Sequence, residues 1–144
     1  MPWLVKSEPD SFSWAQHAAA GTEPWTGVRN HAAKNNLAAM RLGERALFYH
    51  SRIGREIVGV AEVVREAYPD PTAEPGPWLC VDLRAVGAMP RPVSLAQVRA
   101  EPALAGMALV RLSRLSVGPV SEAEWRRVCA MGGWREGAAG PCLR

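Results

Sequence analysis

Trp25-Thr26-Gly27-Val28-Arg29-Asn30, then His31 to Met40, then Leu42-Gly43-Glu44, then Arg45-Ala46-Leu47-Phe48-Tyr49-His50-Ser51 is the stretch against which the rest of the chain is read. It opens as a loop that sets one large aromatic beside Gly27, Arg29 and Asn30. Asn30 is placed to cap a helix, because its side chain can accept from an orphan backbone N–H. The helix that follows carries Ala33, Leu37 and Met40 on one face, with Lys34, Asn35 and Asn36 largely off it. Gly43 stands just past its end, where a left-handed residue is easily accommodated. A strand then runs out into Tyr49-His50-Ser51, all able to hydrogen-bond. A tryptophan on a loop, a basic helix start and a polar strand end converge on one hollow suited to a flat, partly polar ligand such as a nucleobase. A plainer reading stands beside it, in which Trp25 is a core residue and Asn30 only a cap.

Composition bounds the alternatives. A chain of 144 residues corresponds to one domain, and an apolar fraction of 48% supplies a core without a metal or disulfide staple. The net charge of +3 permits an anionic partner without requiring one. Cys80, Cys129 and Cys142 form no C-x-x-C pair, and with only His17, His31 and His50 beside them no zinc spacing appears. An odd cysteine count and an N-terminus that meets Lys6 too early for a secretory signal predict a cytoplasmic protein. No apolar run approaches the ~20 residues of a membrane span.

Outward from the opening stretch, Trp3-Leu4-Val5 reads as a buried strand stopped by Pro9. Three capping boxes announce helices: Ser13 with Gln16, Ser94 with Gln97, and Ser121 with Glu124. Thr22-Glu23-Pro24 leads into the Trp25 loop. Arg52-Ile53-Gly54-Arg55-Glu56 is a turn with Gly54 at the positive φ, and residues 57–64 form a strand in which Gly59 marks a bulge or a close backbone approach. Residues 68–77 are too rich in proline for regular structure. Residues 78–86 alternate as a half-buried strand, Pro90-Arg91-Pro92 breaks the chain, and residues 112–117 alternate as a last strand. Trp134 to Arg144 has no periodicity and reads as a loose tail, of which Trp134 alone can dock on the domain. Five strands with short helices between them predict an α+β fold with a curled, mostly antiparallel sheet. No glycine loop opens a helix to cradle phosphate, so no nucleotide cofactor is expected.

Candidate chemistry is sparse. Neighbouring residues of a strand point to opposite faces, so His50 and Ser51 cannot act as a base–nucleophile pair. No two carboxylates stand out as general acid and base; Asp70 sits in the proline loop and Glu62 and Glu66 on a solvated face. Arg29, Lys34, Arg52, Arg55 and Arg114 can rim the hollow or simply face water.

Seven segments, in order, resemble the EVE domain family: Trp3 to Pro9, Trp25-x-Gly27-Val28-Arg29-Asn30, Asn35-Asn36-Leu37, Phe48 to Ser51, Val58 to Val63, Tyr68 to Thr72, and Arg114 to Val117. The resemblance covers a domain of residues 1–131 and leaves 132–144 as a C-terminal tail. It implies a PUA-like pseudo-β-barrel of about five to six mostly antiparallel strands with short flanking helices, related to YTH and ASCH domains. It also implies a monomeric nucleic-acid-binding module, not an enzyme, that reads a flipped-out modified base, with modified cytosine in DNA favoured and RNA as the alternative partner. No cofactor and no metal belong to this picture. Carried over by motif, Lys6, Ser7, Trp25, Val28, Asn30, Asn35, Tyr49, His50 and Ser51 line or flank the pocket, Arg114 and Ser116 close it, and Arg29 stands at the rim. No second tryptophan matches as the facing wall, which falls to Tyr49 or an aliphatic side chain. A second class of function is an RNA- or nucleotide-processing enzyme on the same fold, for which only Lys6, Tyr49 or His50 offers a base.

Overall fold

The computed structural model describes residues 1–136. The elements follow as β1 (Trp3–Ser7), α1 (Trp14–Ala20), β2 (Thr22–Pro24), α2 (His31–Ala39), β3 (Arg45–His50), β4 (Glu56–Pro69), β5 (Leu79–Ser94), α3 (Leu95–Ala100), a 3-10 turn (Pro102–Leu104), α4 (Ala108–Arg111), β6 (Val117–Pro119) and α5 (Glu122–Gly132). All three capping boxes form, each serine accepting from the backbone N–H three residues on while the Gln or Glu side chain there accepts from the serine N–H. Asn30 caps α2, its Oδ1 accepting from the Ala33 N–H at 3.0 Å.

The six strands make one sheet in the order β2-β5-β4-β3-β1-β6. Every neighbouring pair is antiparallel except β1 with β3, which run parallel because α1, β2 and α2 lie between them in the chain. The two edge strands, β2 and β6, do not pair with each other, so this α+β fold is the expected pseudo-barrel, curled but not closed. Repeated register shifts between β4 and β5 supply the bending.

Alternation along β3 divides the interior into two cores. Ala46 and Phe48 enter the core under α1 and α2, together with Trp3, Val5 and Trp25. Leu47 and Tyr49 enter the other, with Leu4, Trp125 and Val128. Helices therefore cover both faces of the sheet, and the Trp25 loop belongs to the first.

The elements depart from the sequence reading in several places, first at the end of β4, which runs on past residue 64 through Tyr68 and Pro69, paired with Cys80 and Leu79, where an irregular loop was expected. Pro90 and Pro92 do not break the chain; β5 runs through them because Ala88 pairs with Gly59 and Val93 with Ile57, leaving both prolines in a bulge where no ladder N–H is required. Thr22–Pro24 is a strand, and Pro24 is tolerated there because β2 is a sheet edge. The last strand is shorter than its alternation suggests: the Leu115 N–H donates to the Leu112 carbonyl at 2.9 Å, closing a turn that folds Leu115 over Gly118. Trp134 is buried in the second core and its indole N–H donates to Glu136 at 2.8 Å, so the tail is docked at its start; residues 137–144 lie outside the described residues. Gly59 meets both expectations. The register shifts beside it, and a Cβ there would stand 2.6 Å from the Trp14 ring.

Candidate nucleic-acid interface

The loop after β2 is held from three sides. The Trp25 N–H extends the β2 ladder to the Val81 carbonyl at 2.7 Å. Gly27 adopts a φ of 85°, which favours glycine, and its N–H donates to Asp70 Oδ2 at 2.8 Å. Asn30 then fixes the start of α2. Trp25, 8% exposed, packs edge-on against Phe48 at 5.5 Å between centroids and against Phe12 at 6.3 Å. It is thus a core tryptophan that also lines a hollow.

The hollow has a volume of about 370 Å³ and is lined by Lys6, Ser7, Phe12, Glu23, Pro24, Trp25 to Arg29, and Ser116. That lies in the range of small-ligand sites. Its polar members are mostly committed to the protein. The Ser7 hydroxyl donates to the Phe12 carbonyl at 2.6 Å, and Lys6 Nζ donates to the Ser113 carbonyl at 2.9 Å. Burial pushes the Lys6 ammonium below its ordinary pKa.

Asp70 locks the rim. Its buried carboxylate accepts from the Gly27 N–H, from Arg29 at 2.9 Å, and from both the N–H and the hydroxyl of Thr72 at 2.7 Å each. Burial alone would raise its pKa, but the bonds from Thr72, Gly27 and Arg29 outweigh it and hold the carboxyl far below the usual range. Arg29 also donates to Thr72 at 3.2 Å and lies 6.0 Å from the Trp78 ring, which itself stacks on His31 at 4.8 Å. The proline loop and the Trp25 loop are by this means one rigid unit.

Of the residues expected at the site, Lys6, Ser7, Trp25, Val28, Arg29 and Ser116 line the hollow. The others are placed elsewhere. Tyr49 is not the facing wall: it is one residue on from Phe48 and so points into the opposite core. Phe12 lines the hollow beside Trp25, in edge-on contact with it rather than across from it. Asn30 spends its carbonyl on the helix cap and, with Arg114, borders a separate shallow groove. Asn35 is exposed on α2; it is Asn36 that turns inward, donating to the Val117 carbonyl at 2.7 Å. His50 Nε2 accepts from the Trp14 N–H at 3.0 Å, and burial lowers its pKa. The Ser51 N–H donates to the Ser7 carbonyl at 2.9 Å, so that residue supports the strand end that carries Ser7. Arg52 pairs with Glu8 at 3.1 Å outside the hollow.

Phe12, Glu23 and Asp70 were not singled out by sequence. Glu23 carried a usable signal, since residues two apart on a strand share a face and Trp25 is two residues on. Asp70-Pro71-Thr72 announced a side-chain-capped turn, but nothing local tied it to residues 41 and 43 positions earlier. Among the described residues no group of three or more His, Cys, Asp or Glu side chains is placed to hold a metal ion, and no helix is long and apolar enough to cross a membrane.

Comparison with known proteins brings in a family. The EVE domain model matches residues 2–131. Thymocyte nuclear protein 1 of Homo sapiens is 36% identical, over 90% of this chain and 72% of its own length. The structure of a Rhodopseudomonas palustris protein superposes with a TM-score of 0.87 at 58% identity, covering 92% of each chain. Human THYN1 protein, solved in complex with DNA containing 5-methylcytosine, superposes with a TM-score of 0.85 at 33% identity, over 93% of this chain and 98% of its own. An ASCH protein from Zymomonas mobilis shares the fold alone, with a TM-score of 0.57 at 13% identity over 90% of this chain and 97% of its own.

Proposed function

We propose that this chain, which belongs to the EVE domain family, is a DNA-binding module that takes a flipped-out 5-methylcytosine into the hollow beside Trp25. The observation that carries the reading is the hollow itself: an indole wall, apolar neighbours in Phe12 and Val28, and a rim braced by Asp70. The human relative solved with 5-methylcytosine DNA supports the choice of ligand. A base inside a duplex cannot reach such a recess, so the nucleotide swings out at a cost of a few kcal/mol. Stacking on an aromatic returns ~1–3 kcal/mol. The methyl group needs only a small apolar niche, worth roughly 1 kcal/mol.

Binding is favoured over catalysis because the groups that could move a proton are otherwise engaged. Lys6 is held on a carbonyl, His50 Nε2 takes a backbone N–H, and Tyr49 faces the other core. Titrating the protein with single-stranded oligonucleotides that differ in one central base, at fixed salt, tests the reading. Preference for 5-methylcytosine over cytosine should be about fivefold to tenfold, the value of one buried methyl. Equal affinity for every oligonucleotide would leave a non-specific nucleic-acid binder. Tighter binding of the matched RNA series would move the partner from DNA to RNA.

A further inference from the structure

Every side chain lining the hollow is apolar, hydroxylic or cationic except one, the carboxylate of Glu23. It lies on the edge strand β2, opposite Leu83 of β5, two residues before Trp25 and therefore on the same face of the strand as the stacking wall. It is half-buried. Among the described residues it forms no ion pair and no side-chain hydrogen bond. Its cationic neighbours in the lining are occupied, Arg29 by Asp70 and Lys6 by the Ser113 carbonyl. A carboxylate kept in the mouth of a site that must sit close to phosphate works against affinity for the backbone. It needs a different partner, and an acceptor-only group fits a donor.

We infer that Glu23 accepts a hydrogen bond from the exocyclic amine of the bound base, and so makes this site read an amino pyrimidine and reject its oxo counterpart. The inference rests on the reading of the hollow as a base site. The chemical problem it solves is specific. 5-Methylcytosine and thymine have the same ring and the same methyl group, so stacking on Trp25 and the apolar niche treat them alike. They differ on the edge: cytosine offers N4–H₂ donors where thymine offers the O4 acceptor. Aligned on the exocyclic group, a carboxylate accepts from the first and opposes the second, lone pair against lone pair, and reaches thymine's N3–H only by moving one ring position. Hydrogen bonds to charged groups are the stronger kind, and a mismatch leaves the carboxylate unpaired, so the discrimination should reach about tenfold to a hundredfold. Adenine also presents an exocyclic amine, and its exclusion is left to the size of the recess.

The test compares wild type and Glu23→Gln on single-stranded oligonucleotides carrying one central 5-methylcytosine, thymine or abasic site, at fixed salt. Wild type should prefer 5-methylcytosine to thymine by at least about tenfold. In Glu23→Gln the ratio should fall to within about threefold, because the amide can turn its NH₂ toward O4. Thermal unfolding of the variant should stay close to wild type, since Glu23 has no hydrogen bond or ion pair to lose and acts on its neighbour His17 only through its charge; if it does not, Glu23→Ala gives the same comparison without a new donor. A variant that keeps the wild-type ratio overturns the assignment. So does a wild type that binds 5-methylcytosine and thymine equally while still preferring either to the abasic strand. A wild type indifferent to the abasic substitution overturns the base site itself.

Discussion

Replacing Asp70 by Asn should loosen the Trp25 loop without altering the shape of any side chain. Asp70 accepts four hydrogen bonds, two on each oxygen: Gly27 and Arg29 on Oδ2, and the N–H and hydroxyl of Thr72 on Oδ1. Asparagine keeps one acceptor: with its oxygen toward Gly27 and Arg29 and its NH₂ toward Thr72, the Thr72 hydroxyl can turn to accept, the Thr72 N–H loses its acceptor, and the remaining bonds lose the carboxylate charge. A bond to a charged group is worth ~1.5–3 kcal/mol, and with the Arg29 end partly screened by water the total loss is about 2–3 kcal/mol. With a urea m-value in the usual range of ~1–3 kcal/mol/M, the unfolding midpoint should fall by roughly 1–2 M. The pH dependence gives an independent check. The native carboxyl is held far below its ordinary value of 3.8, so the unfolded chain takes up the proton first as pH falls. The stabilisation is therefore complete well above that value and is lost progressively below it. Wild type and variant should differ most at neutral pH, and the gap should narrow as pH falls below about 4. A midpoint shift under about 0.3 M, or a gap of constant size from pH 6 to pH 3, would refute the clamp. Affinity for the 5-methylcytosine oligonucleotide should weaken in parallel, because Gly27 and Arg29 lose their shared anchor.

Trp25→Ala should cost about 3–5 kcal/mol in a denaturant titration, as removal of a buried aromatic does, whereas Trp25→Phe should stay folded and lose much of its base affinity; a Phe variant with unchanged affinity would return Trp25 to the core alone. Gly59→Ala should lower the thermal midpoint, because the new methyl meets the Trp14 ring at 2.6 Å and overpacking typically costs ~1–3 kcal/mol; wild-type stability would mean that Trp14 moves freely. Arg29→Ala should flatten the slope of log affinity against log salt by about one if the guanidinium holds one phosphate, while Arg52→Ala, outside the hollow and paired with Glu8, should leave it unchanged. An equal effect of both would place the phosphate path elsewhere.

What the sequence made legible was local. Serine followed three residues later by Gln or Glu specified three helix starts, and Asn30 a fourth, because each cap involves neighbours in the chain. Order and spacing of seven segments gave the family and hence the sheet. What stayed hidden were consequences of partners distant in sequence. Pro90 and Pro92 read as a break because their tolerance depends on Gly59 across the sheet. Residues 112–116 alternate like a strand, yet Leu115 finds its burial over Gly118 instead. Half of the expected site residues reach the hollow. Tyr49 missed by a single residue of strand alternation, and Asn35 is exposed on α2. Asp70, which organises the rim, was visible only as a turn former.

The two roles of Trp25 bear on what substrate the site favours. Because its ring is packed edge-on by Phe48 and Phe12, the wall stands ready before any ligand arrives, and little ordering cost is added on binding. Even so, ~1–3 kcal/mol of stacking barely matches the few kcal/mol of flipping a paired base. The difference in duplex must come from phosphate contacts, and those are limited: the net charge is only +3, Arg29 is shared with Asp70, and Lys6 is half-buried on a carbonyl. Duplex binding should accordingly be weak, with a shallow salt dependence set by those few contacts, and a mismatch opposite the modified base should strengthen it by lowering the flipping cost while leaving every protein contact in place. Titration of matched and mismatched duplexes around one 5-methylcytosine measures that difference directly. If the mismatch has no effect, the base is read without leaving the stack, and the hollow beside Trp25 is not where it goes.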